Sequence, residues 1–183
     1  MSSRLRILHI VGSLKLPRDP EVEGASGAVR AALEIARAQA RHGHEAWVVA
    51  VGQDQWEAEW QGVRLVHLRL EPWAQVRIDG RALDLRVQLP LVLLTRRYLF
   101  DVVQGHLHHY LRFLRAGMRV VHFHIDPYYC GQGDGDISMH EADFAAVART
   151  SDAQVAVSRF VEAQLQRGLA GRGDIHVVHN GVD

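Results

Sequence analysis

The chain reads as an α/β fold, a Rossmann-like, mainly parallel sheet with helices on both faces. Three observations predict it. Apolar runs of strand length alternate with amphipathic stretches of helix length along the whole chain, the order that right-handed crossovers turn into a parallel sheet. The first run, Ile7, Leu8, Ile10 and Val11, is broken only by His9, as expected of a strand covered on both sides. Finally, 183 residues that are 48% hydrophobic can bury a core without disulfides or metal and make a single domain, 1–183.

Taken in order, the strand at Ile7–Val11 leads into a join from Gly12 to Ala25 that is far longer than the usual strand-to-helix loop. Val29, Ala32, Leu33, Ala36 and Ala40 then recur at helical spacing, with Arg30, Glu34, Arg37 and Arg41 on the other side. Gly43 can take the left-handed conformation that closes this helix, and Trp47–Val51 forms the next buried strand. A polar patch with Trp56 and Trp60 precedes a strand at Val63–Leu70. From Pro90 onward Leu91, Leu94, Tyr98 and Leu99 share a helical face.

Asp101–His106 is the next strand, and Leu107, Tyr110, Leu111 and Leu114 suggest a short helix ended by Gly117. Val120–Ile125 follows as a strand, then a polar, glycine-rich loop from Asp126 to Asp136. Ser138 and Glu141 have capping-box spacing for a helix to about Thr150. Val155–Val157 resumes the sheet, Ser158 can cap another helix, and His176–Val178 is the last strand.

Composition narrows the function. Charges are interspersed and sum to zero, so no nucleic-acid surface is indicated. Cys130 is the only cysteine, which leaves no internal disulfide or thiolate cluster and fits a reducing, cytoplasmic setting. The opening MSSRLRILHI runs straight into a strand with no cleavage site, so no signal peptide is expected. Leu89–Leu94 is too short for a bilayer span. Seven arginines against three acids between Arg64 and Arg97 suit either peripheral contact with anionic lipid or an ordinary solvated face.

Ligands in parallel sheets bind beyond the carboxyl ends of the strands. That rule gathers the loop to Gly27, His106, His124 with Asp126, and Ser158 on one rim. Ser26 and Gly27 open a helix whose unpaired N–H groups suit a phosphate, or Gly24 and Gly27 only let the chain turn. Of the twelve histidines, His106 and His124 end buried strands, where a polar side chain needs a partner or a ligand. His122, His124 and Asp126 would share one face if extension continued, a metal-ligand spacing. No H-E-x-x-H motif accompanies them.

Several separated pieces resemble one family, the retaining, two-domain GT-B glycosyltransferases of family four. Ser26-Gly27 stands at the glycine-rich loop, and Gly43-His44-Glu45-Ala46 resembles the G-H-E-V that ends the first helix. Asp101-Val102-Val103-Gln104-Gly105-His106 resembles D-V-V-H-x-H, with Gln104 in place of the first histidine. Val120–His124, Asp152–Ser158 and Val177–Asp183 resemble V-V-x-x-H, A-D-x-V-x-A-V-S and V-I-P-N-G-V-D.

The resemblance covers nearly the whole chain and implies the N-terminal half of a GT-B fold, with the C-terminal donor-binding domain absent from the sequence. It implies transfer of a sugar from a nucleotide-sugar donor to a hydroxyl acceptor with retention, this half forming the acceptor side of the cleft. No cofactor or metal is called for. His106 is then expected near the reacting centre, Ser26 and Gly27 at the donor phosphate, His124, Asp126 and Ser158 along the rim, and Lys15 and Arg18 at the acceptor. A C-terminal GT-B domain or subunit is the implied partner. A non-catalytic glycosyltransferase-like binding subunit is the alternative reading, and a histidine-site metal hydrolase the third.

Overall fold

A computed structural model describes residues 3–70, 76–78, 81–83, 85–106, 111–127 and 141–179. The elements run β1 (Arg6–Gly12), α1 (Pro20–Glu23), α2 (Gly27–Arg41), β2 (Glu45–Gly52), β3 (Trp56–Trp60) and β4 (Val63–Arg69). A small hairpin follows, β5 (Val76–Ile78) with β6 (Arg81–Leu83), then α3 (Leu85–Arg97), β7 (Phe100–Gly105) and β8 (Ala116–Phe123). The chain continues through α4 (Glu141–Thr150), β9 (Ala153–Ala156), α5 (Arg159–Leu169) and β10 (Ile175–Val177).

Among the described residues eight strands form one sheet, ordered β10-β9-β8-β7-β1-β2-β4-β3. All neighbours are parallel except β3, which runs against β4. From β1 the chain steps to β2 and β4 on one side, then returns to β7 on the other. The β1–β7 boundary is therefore the switch point, beyond whose carboxyl ends such sheets hold ligands.

Strand alternation gives the sheet two different faces. Leu8 and Ile10 join the larger core with Trp47, Val49, Leu91, Val121, Phe144 and Leu165. Val11 joins the smaller one, where Val29, Ala32, Leu33 and Ala36 of α2 pack on Ala46, Val48 and Leu65. The spacing read from the sequence is thus the buried face of α2. Gly43, at φ +86°, turns the chain out of that helix while His42 and Gly43 N–H groups donate to its last carbonyls.

Other expectations needed correction. The long join contains α1, whose first turn is capped by the Asp19 carboxylate accepting from Glu21 N–H at 3.1 Å. The polar patch with Trp56 and Trp60 is an edge strand. Helix α3 starts at Leu85 and carries Pro90 inside it, and Leu99, beyond its end, is 59% exposed. Of the helix expected from Leu107, residues 107–110 lie outside the described residues and 111–115 form a turn. Gly117 lies within β8, because the strand begins at Ala116. Ser138 is outside the described residues, so the capping box is too.

Candidate active site

The switch point is lined on the α2 side of the sheet by polar side chains from three strands. His9 of β1 pairs in register with Gln104 of β7. Two residues on, His106 leaves the end of β7 on the same face while its N–H still donates to Ile10 O at 2.9 Å. His122 and His124 share the matching face at the end of β8. His9 is fully buried, His106 is 2% exposed, and Gln104 and His122 are each 8% exposed.

These groups satisfy one another, as buried polar atoms must. His9 Nε2 meets Gln39 Oε1 of α2 at 2.7 Å. His9 Nδ1 meets His106 Nε2 at 3.0 Å, and His106 Nδ1 meets His124 Nε2 at 2.7 Å. To one side, His122 Nε2 meets Gln104 Oε1 at 2.7 Å. Ring centroids stand 5.3 Å apart for His9 and His106 and 5.0 Å for His106 and His124, with planes 29° and 13° apart. Each separation exceeds its N···N distance by about one ring width, so the rings lie edge to edge in a ribbon. At its outer end His124 Nδ1 is buried and has no hydrogen-bond partner among the described residues.

Burial keeps the ribbon neutral, since removing an imidazolium from water penalises its charge. His9 is pushed down to about 4, mainly by burial and partly countered by its bond to Gln39. His122 is pushed down to about 3 by burial and by the neighbouring histidines. His106 lies well below the ordinary histidine value for the same reasons, and His124 is lowered by burial.

One ring nitrogen from each of His106, His122 and His124 lies within 4.8 Å of the other two. A zinc-like ion needs lone pairs converging on a point about 2.0–2.1 Å from each nitrogen. Here His106 and His124 face each other along a hydrogen bond at 2.7 Å, so a metal would require one ring to swing out of line. Asp126 does not join this group, which consists of His106, His122 and His124.

The remaining candidates divide. Ser26 is the N-cap of α2 but makes no side-chain capping bond, and Ser26 and Gly27 are both exposed at the helix opening. Gly27 is not in the left-handed region, and a Cβ there would meet nothing within 4 Å. The turn reading of Gly27 therefore fails on conformational grounds. Ser158 is occupied, its Oγ accepting from Val161 N–H at 3.2 Å as the cap of α5. Lys15 is 85% exposed with its Nζ 4.0 Å from Glu23, and Arg18 lies over the Trp56 ring at 5.3 Å. Neither is brought to the histidines by any described contact.

His9, Gln39 and Gln104 were not picked out as site residues from the sequence. The signal available was His9 itself, a polar residue inside an apolar strand that must find a buried partner.

A family model described as Glycosyltransferase Family 4 matches residues 25–183. Among solved structures, Anabaena HepE, in complex with UDP and glucose, superposes with a TM-score of 0.59 at 16% identity over 98% of this chain and 45% of that one. A glycosyltransferase from Rickettsia africae superposes with a TM-score of 0.55 at 14% identity over 100% of this chain and 44% of that one. The chain thus spans less than half the length of either, and at these identities the likeness shows a shared fold. Comparison with curated proteins gave no match.

Proposed function

This chain belongs to Glycosyltransferase Family 4, and on that premise we propose that it is the N-terminal half of a retaining glycosyltransferase. It would transfer a sugar from a nucleotide-sugar donor to a hydroxyl acceptor and form the acceptor side of the cleft. One observation carries the reading: at the switch point, the open amino end of α2 and the His106–His124 end of the ribbon stand at the carboxyl ends of adjacent strands. The first turn of α2 offers N–H groups that its N-cap side chain leaves uncapped, together with the positive end of the helix dipole, which suits the leaving diphosphate. The neutral histidines supply hydrogen-bonding nitrogens for the sugar without adding charge beside an oxocarbenium-like centre. His106, with both nitrogens engaged, would act on the sugar through His124.

The test is complementation with a C-terminal GT-B half, as a fusion or a separate subunit, followed by transfer assays with uridine- and guanosine-diphosphate sugars. Turnover should need both halves, and His106→Ala should lower it by roughly ten- to a thousandfold. Donor binding with no transfer to any hydroxyl acceptor would favour the non-catalytic binding subunit instead.

A further inference from the structure

The ribbon has a direction, and one residue outside every recognised motif sets it. The Gln39 carboxamide oxygen can only accept a hydrogen bond, so at 2.7 Å His9 Nε2 must carry the proton. A neutral imidazole with its proton on Nε2 has a lone pair on Nδ1. His9 Nδ1 therefore accepts from His106 Nε2–H at 3.0 Å. By the same step His106 Nδ1 accepts from His124 Nε2–H at 2.7 Å. The sequence ends on His124 Nδ1 with a lone pair that is buried and, among the described residues, unpartnered. The near-linear rings make each link a well-aligned bond. A ring protonated on both nitrogens would turn one link into two donors facing each other.

We infer that Gln39 and His9 are positioning residues whose hydrogen bonds fix the tautomers of His106 and His124, leaving the lone pair of His124 on Nδ1.

The experiment is long-range proton–nitrogen correlation of the histidine rings in the nitrogen-15-labelled chain at pH 7. His9, His106 and His124 should each show protonated Nε2 and unprotonated Nδ1. Gln39→Glu keeps an acceptor and should keep that pattern, whereas Gln39→Met removes it and should replace the single tautomer of His106 and His124 by mixtures. A merely structural Gln39 would lower the melting temperature in Gln39→Met and leave the tautomers alone, which would overturn the inference. Protonated Nδ1 on His124 in the unmodified chain would overturn it as well, and that measurement stands even if Gln39→Met fails to fold.

Discussion

His9 and Gln104 stand opposite each other where β1 pairs with β7, yet their side chains serve different imidazoles. His9 bridges Gln39 and His106, while Gln104 holds the Nε2 side of His122. Two neighbours in register thus divide three buried histidines and the half-buried His124 between two amide acceptors. Replacing Gln104 by Leu leaves a buried imidazole N–H without its acceptor, a loss of about 1–3 kcal/mol. Thermal denaturation should show a midpoint lower by roughly 2–4 °C per kcal/mol for a chain of this size. An unchanged midpoint would show that His122 finds another acceptor.

Stability should rise with pH between about 4 and 6.5. In the unfolded chain histidines take up protons as pH falls through about 6.5, whereas the folded chain holds His9 neutral to about 4 and His122 to about 3. The unfolded state then binds more protons, so stability is complete above about pH 6.5 and drains away as pH falls, by about 1.4 kcal/mol per pH unit for each such histidine. Gln39 and Gln104, which hold these rings, do not titrate. Urea unfolding at pH 7, 6 and 5 measures the slope, and a flat profile would mean that the folded ribbon accepts protons freely.

At Gly27 the fold makes no demand of its own. Its conformation is ordinary and a Cβ would meet nothing within 4 Å, so Gly27→Ala should leave stability unchanged or raise it by about 0.4–1 kcal/mol. Any loss should appear in donor binding by the two-domain enzyme, where added bulk blocks the approach of a phosphate to the helix opening. Melting and calorimetry on the same variant separate the two; a fall in the melting point with donor binding intact would count against a phosphate there.

Gly117 is the opposite case. A Cβ at this position of β8 would lie 2.8 Å from the Asp101 carbonyl oxygen of β7, and backbone cannot yield as a side chain can. Gly117→Val should therefore cost about 1–3 kcal/mol, measurable as a lower denaturation midpoint. Retained stability would show that the β7–β8 pairing can slide.

That glycine also shows where the sequence stops being legible. Read locally, Gly117 ends a helix; its actual reason is the closeness of β7, a neighbour that no window of adjacent residues contains. The buried face of α2 was readable because its period is local, and so were the apolar centres of β1, β2 and β4. The Trp56–Trp60 strand was missed because its exposed face carries Glu57 and Glu59, which make a half-buried edge look like a polar loop. The rim position of His106 and His124 followed from strand order. The ribbon did not, because it joins residues 97 and 18 positions apart in the chain, and the helix residue that anchors it is one more polar side chain in a surface pattern.

The edge strand has one further effect. β3 runs against β4 and alternates inward residues with the exposed Glu57 and Glu59. A second copy approaching this border to continue the sheet would bring Glu59, beside a Glu57 already paired with Arg64, against its counterpart, and like charges directly opposite one another disfavour pairing. The sheet is thereby guarded on this side against growth by strand addition, and the carboxyl ends of its strands can stay open without the molecule polymerising through its flank.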